Sequence, residues 1–130
     1  MDTIAVDRHA DGVAGLRRCG AALAGGDGLL LFPEGTRSRD GRIQPFKVGI
    51  AVLAMEHGVP IVPARIEAAS ELLPKGSRFV RSGVVSVTFG RPIYPPQHSD
   101  QIDQAAARQG LTLRVQSAVE QLESQRRHVA

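Results

Sequence analysis

Apolar and small residues recur at helical spacing from Val13 to Ala24, with Val13, Leu16, Gly20 and Leu23 on one face. This predicts a helix, which Gly25-Gly26-Asp27-Gly28 stops. Leu29-Leu30-Leu31-Phe32 has no alternation at all, the pattern of a short strand buried on both faces of a parallel sheet. Pro33 ends that run, and residues 33–45 form a polar loop rich in Gly and Arg. A second helix is predicted over Phe46–Glu56, with Phe46, Ile50, Leu53 and Ala54 inward and His57-Gly58 closing it. Val59–Ile66 is a further apolar strand, but Pro60 and Pro63 argue against a regular central one. After a loop at Ala68–Ser82, Val84–Phe89 alternates as a strand until Gly90-Arg91-Pro92. Residues 94–100 form a linker. From about Ile102 a last helix carries Leu111, Val115, Ala118 and Leu122 as its stripe, with a frayed end at Gln125–Ala130. Thr3–Asp7 is strand-like and opens without a lead-in.

Strands and helices alternate through most of the chain. The expected fold class is therefore α/β, a mainly parallel or mixed sheet flanked by helices. At 130 residues, with 42% hydrophobic content, the chain suits one small domain with one core. Sixteen basic against thirteen acidic residues give a net charge of +3, too mild to argue for nucleic acid. Aromatic content of 4% with no Trp removes the stacking platforms that a single-strand nucleic-acid reader needs. Cys19 is the only cysteine, so no intrachain disulfide or thiolate metal cluster is expected, and the chain suits a reducing compartment. It lies beside Leu16, Gly20 and Leu23, as a packed small hydrophobe would. No apolar run is long enough to cross a membrane, and Met1-Asp2-Thr3 has neither the basic region nor the apolar stretch of a signal peptide.

The chemistry concentrates at Phe32-Pro33-Glu34-Gly35-Thr36-Arg37-Ser38, placed after a predicted strand, where α/β sheets bind ligands. Its composition suits an anion. Arg37 offers a planar fork of donors that matches phosphate oxygens. Gly35 allows close backbone approach, and neighbouring N–H groups can form an anion nest. Thr36 and Ser38 add hydroxyl donors, while Arg39, Arg42 and Lys47 raise the local potential. Glu34 would repel a phosphate, so it is expected to orient Arg37 or a loop N–H. Composition alone equally fits a surface loop built on a tight turn. No Walker motif is present, so nucleotide phosphates are not indicated.

Phe32–Ser38 spells FPEGTRS, which resembles the signature of the glycerolipid acyltransferases, a family that includes the 1-acyl-glycerol-3-phosphate acyltransferases. Other blocks resemble that family in the same order. They are Ile4-Ala5-Val6-Asp7-Arg8, Arg39-Asp40-Gly41-Arg42, Pro45-Phe46-Lys47-Val48-Gly49, Val59-Pro60-Ile61-Val62-Pro63-Ala64, Leu73-Pro74-Lys75-Gly76 and Val87-Thr88-Phe89-Gly90-Arg91-Pro92-Ile93. The resemblance spans residues 3–95 and implies an acyltransferase domain over 1–98 with a helical tail over 99–130. It implies that a hydroxyl of lysophosphatidic acid, or of a related lyso-glycerolipid, attacks an acyl thioester on coenzyme A or acyl carrier protein. Phosphate binding would fall to Arg37 and Arg8, helped by Gly35, Thr36 and Ser38, with Glu34 and Lys47 in support. The resemblance further implies peripheral work at the cytoplasmic face of a membrane, with no metal or redox cofactor.

Members of the family place a His-x-x-x-x-Asp motif ahead of the first block matched here, as general base and orienting carboxylate. This sequence departs from the family at that point. Of its four histidines, His9 and His57 lack an Asp five positions on, and His128 is two residues from the end. His98 and Asp103 have the spacing but follow the last block, which marks a chance match. The expectation is a copy incomplete at its N-terminus that lacks its catalytic base. Two alternatives stand beside it: a non-catalytic module for lipid phosphate, and an unrelated enzyme using His98 and Asp103 in a rearranged site.

Overall fold

The computed structural model describes residues 12–36, 40–67, 76, 78–79, 82–83, 85–97 and 103–126, the side chains of 123–126 excepted. Five elements occur among them: helix α1 (Gly12–Ala24), helix α2 (Gly49–His57), strands β1 (Ala64–Glu67) and β2 (Ser86–Phe89), and helix α3 (Gln104–Arg126).

Glycine stops the first two helices by one device. Gly26 takes φ +90°; its N–H donates to the Leu23 carbonyl, and the Asp27 N–H reaches back to Ala22. Orphan carbonyls of the last turn are thereby satisfied. At the end of α2, Gly58 is left-handed and donates to the Ala54 carbonyl, and Pro60 follows, which cannot continue a helix. The start of α3 is set by Asp103, whose Oδ1 accepts from the N–H groups of Ala105 (3.0 Å) and Ala106 (3.3 Å). This is the N-cap arrangement that short acidic side chains favour.

Seven of the nine residues of α2 (GIAVLAMEH) are Gly or apolar, and the helix packs against α1 on one side and α3 on the other. On the α1 side two glycines permit close approach. A Cβ on Gly20 would lie 2.7 Å from His57 Nε2, and one on Gly49 would lie 3.3 Å from Leu16 Cδ2. On the α3 side, Ala51 and Ala54 meet Leu111 and Val115, with Phe46, Ile50, Met55, Ile61 and Ile93 packed around them. The expected α3 stripe holds at Leu111, Val115 and Leu122, but Thr112 and Val119 are buried in it and Ala118 is only half-buried. Thr112 is accommodated because its hydroxyl donates to the Arg108 carbonyl one turn back. The α1 stripe is narrower than expected: Val13 is exposed, and the buried residues are Gly15, Cys19 and Gly20.

The described sheet does not show the expected parallel strands. Among the described residues it has two strands, β1 and β2, paired antiparallel with Ala64 opposite Phe89 and Ile66 opposite Val87. Pro63 brings no N–H to a ladder, and the pairing is broken there as its presence implied. An isolated bridge joins Ile61 to Ile93, so the three residues Gly90–Pro92 face the two residues Val62 and Pro63. The extra residue makes a bulge. Gly90 serves it by donating to the Pro63 carbonyl (2.8 Å) and by leaving room for Pro63 and Leu122.

Leu29–Phe32 is a second correction. It belongs to no strand of the described sheet, and Leu30 and Phe32 are 63% and 66% exposed. Apolar character makes a strand only where a neighbouring strand takes up its backbone hydrogen bonds, and no described segment pairs with this run. The expected strand at Thr3–Asp7 lies outside the described residues; of the end expected to fray at Gln125–Ala130, Gln125 and Arg126 belong to α3 and 127–130 lie outside the described residues.

The α2–α3 seam sets the stability. Leu111→Ala should lower the unfolding free energy by about 3 kcal/mol through lost burial and a residual cavity. Leu113→Ala, two residues away and 57% exposed, should change it by less than about 0.5 kcal/mol. Urea denaturation of the two variants checks the contrast.

Candidate anion-binding site

The FPEGTRS segment opens in a tight turn. The Gly35 N–H donates to the Phe32 carbonyl (3.1 Å), with Pro33 and Glu34 between them. Pro33 pre-sets the backbone for the first central position, and Gly35 leaves the turn at φ +68°. The chain then returns to this turn along residues 44–47. The Lys47 N–H donates to the Pro33 carbonyl (2.8 Å), and the Gln44 N–H donates to Glu34 Oε2 (2.7 Å). Glu34 therefore closes the loop, which is one of the two roles expected for an acid that cannot itself hold phosphate. The 2.7 Å contact is a charge-assisted bond in a half-buried setting.

Lys47 lies over the turn. A Cβ on Gly35 would fall 2.8 Å from both Cε and Nζ of Lys47. The glycine thus meets two demands, a left-handed backbone and room for an ammonium group directly above it. Arg42 contributes less than its charge suggests. Asp40 accepts from the Arg42 N–H (3.1 Å) and lies 3.8 Å from its Nε, and the Arg42 side chain is 86% exposed. Such a pair is weak and offsets local positive potential.

Of the residues expected at this site, the structure brings Glu34, Gly35 and Lys47 together, with Thr36 next in the chain. Arg37, Ser38, Arg39 and Arg8 lie outside the described residues. So do Leu73-Pro74-Lys75 and the histidines His9, His98 and His128. Asp103, the carboxylate at His-x-x-x-x-Asp spacing from His98, spends Oδ1 on capping α3. Among the described residues no group of His, Cys, Asp and Glu could hold a metal ion.

Two participants carry no sequence signal. Gln44 supplies the N–H that Glu34 holds, and the Gln116 side chain on α3 accepts from the Phe46 N–H (3.1 Å) across seventy positions of chain. Gln116 Nε2 in turn donates to Glu120 Oε1 (3.0 Å).

A family model described as Acyltransferase matches residues 1–67, which include the whole turn and Lys47. The chain belongs to the acyltransferase family. It is 41% identical over 80 residues to a chloroplastic 1-acyl-sn-glycerol-3-phosphate acyltransferase of Brassica napus, an alignment that covers 61% of this chain and 23% of that protein. The Escherichia coli 1-acyl-sn-glycerol-3-phosphate acyltransferase is 37% identical over 80 residues, 61% of this chain and 32% of that one. The crystal structure of the 1-acyl-sn-glycerophosphate (LPA) acyltransferase PlsC of Thermotoga maritima superposes with a TM-score of 0.68 at 32% identity, covering 86% of this chain and 45% of that one. The chain thus spans between about a quarter and a half of the length of these relatives.

The loop closure gives a sharp expectation. Glu34→Ala leaves the half-buried Gln44 N–H without its acceptor and should cost about 1–3 kcal/mol, whereas Glu34→Gln keeps an acceptor oxygen and should cost less. Urea unfolding, together with amide exchange at Gln44, separates the two variants.

Proposed function

We propose that this chain carries the acceptor-phosphate site of a 1-acyl-sn-glycerol-3-phosphate acyltransferase. Lysophosphatidic acid or a related lyso-glycerolipid is the acceptor. An acyl thioester on coenzyme A or acyl carrier protein is the donor. A hydroxyl oxygen of the acceptor attacks the thioester carbonyl, a base takes the hydroxyl proton, the C–S bond breaks and the thiol leaves. The observation that supports this reading is the closed turn at Phe32–Gly35, with the Lys47 ammonium seated over a left-handed glycine immediately before Thr36, Arg37 and Ser38. Backbone N–H groups, hydroxyls and two cations at one turn form a receptor for a phosphate dianion. Arg37 holds phosphate oxygens through its fork of donors, Arg8 assists, and Lys47 acts as a point charge. Glu34 touches no substrate.

The thioester acyl group needs no protein nucleophile, and Cys19 is buried in α1. The chemistry needs no metal or redox group. The acceptor is a lipid, so the loop works against a membrane surface; among the described residues no helix is long and apolar enough to cross one. Among the described residues, Asp103 caps α3 and His57 packs on Gly20, so neither is free to take the hydroxyl proton. The second reading for the chain by itself is a module that holds the lipid phosphate without turning it over.

In the acylating enzyme, Arg37→Ala should lower kcat/KM for lysophosphatidic acid by about ten- to a hundredfold, the loss of one charge-assisted contact. It should leave kcat/KM for a monoacylglycerol without phosphate unchanged. Kinetics at varied acceptor concentration, with either acyl donor, measure both. An unchanged kcat/KM for lysophosphatidic acid would rule out the role of Arg37. Loss of turnover in His98→Ala would overturn the reading of His98 and Asp103 as a chance match.

A further inference from the structure

The return segment 44–47 is tied down at three points. Two ties go to the turn itself, at Glu34 and Pro33, and the third goes to α3, at Gln116. Helix α3 lies beyond the residues matched by the family model. We infer that Gln116 is a positioning residue for the anion site: its side-chain amide fixes the backbone at Phe46 so that Lys47 stands over Gly35. The inference rests on the phosphate-site reading above.

The amide can serve in only one orientation. The Phe46 N–H is a donor and needs an oxygen, while the Glu120 carboxylate accepts and needs the NH2 group. Both partners are present at 3.1 and 3.0 Å, so Oε1 faces Phe46 and Nε2 faces Glu120. Holding both ends of a long side chain restricts a group that would otherwise sample several rotamers, and the two bonds offset that entropy. Phe46 itself packs on the Ala51, Ala54, Leu111 and Val115 cluster, which keeps its backbone within reach of α3. The next residue is Lys47, whose N–H goes to Pro33 and whose ammonium lies over Gly35. A shift of the Phe46 peptide is therefore passed directly to the cation. Freed from Gln116, the segment keeps the apolar packing of Phe46 and its ties to a turn that is itself exposed at Phe32 and Thr36, but loses its directional bond to α3.

The full chain is the protein to test, with glycerol 3-phosphate as the probe. Gln116→Met keeps length and loses the acceptor. It should weaken glycerol 3-phosphate binding about three- to tenfold, the equivalent of one net hydrogen bond. It should also speed hydrogen exchange at the Phe46 and Lys47 amides. The exchanged pair Gln116→Glu with Glu120→Gln restores an acceptor for Phe46 and a donor at 120, and should recover both affinity and protection. Val119→Ala, a truncation of a buried residue on the same helix with no part in the bonds to the loop, serves as the stability control. Equal weakening by Val119→Ala at a matched loss of Tm would overturn the inference, since the effect would then be global. Unchanged binding in Gln116→Met, or failure of the exchanged pair to recover it, would overturn it as well. If the native chain does not bind glycerol 3-phosphate, the phosphate-site reading falls. The exchange rates at Phe46 and Lys47 then decide the positioning by themselves: faster exchange in Gln116→Met supports it, and unaltered exchange overturns it.

Discussion

Two alanines of α2, Ala51 and Ala54, lie against Leu111 and Val115 of α3, and the small side chains let the helices close on each other. The position of the candidate site follows from that contact. Phe46 precedes α2 by one turn and packs on the same cluster, so the seam fixes where the return segment 44–47 runs. Lys47 and Gln44 then reach back to Pro33 and Glu34. The turn that would face a phosphate is thus hung from the hydrophobic core by the short segment 44–47. Burial is non-directional and supplies most of the free energy; the hydrogen bonds along 44–47 convert it into a defined loop shape.

Glu34 shows how an acid can belong to a candidate anion site without facing the anion. A carboxylate facing phosphate would repel it, but this one is turned toward the Gln44 N–H at 2.7 Å. Part of its charge is spent on a backbone donor, and the loop gains a closed shape. Asp40 does the same on a more exposed scale, accepting from the Arg42 N–H and pairing loosely with its guanidinium. Arg42 is thus partly offset by Asp40, whereas the Lys47 ammonium lies over the turn itself.

The local signals in the sequence were readable wherever they were local in physics. Helix ends at Gly25-Gly26 and His57-Gly58 depend on a left-handed glycine, and glycine is visible in the sequence. The break at Pro63 depends on a missing N–H, which is equally visible. The sign of Glu34 pointed to a partner other than phosphate, either Arg37 or a loop N–H, and the structure shows the bond to the Gln44 N–H. Strand direction was not readable, because it depends on which segments become neighbours. Val84–Phe89 was expected to alternate, and Ser86–Phe89 does; but it pairs antiparallel with Ala64–Glu67, and its Val87 and Phe89 are the exposed members. Leu29–Phe32 was expected to be buried on both faces, but Leu30 and Phe32 are exposed, and apolar content says nothing of a ladder partner. Gln116 was invisible because a polar residue on a helix has no signature for a partner seventy positions away.

Gly35 answers to demands from three distances. Within the turn it must adopt φ +68°, which costs an L side chain about 1 kcal/mol or more. Twelve residues on, Lys47 requires the space where a Cβ would sit. Across the fold, Lys47 holds that space only while Phe46 is held in turn by Gln116 and by the α2–α3 seam. A side chain at position 35 would therefore strain the turn and also push the lysine off it. Of these demands only the first can be read from a glycine in a turn-forming stretch. The others appear once the return segment is laid beside the turn, where the glycine is the floor on which a cation stands.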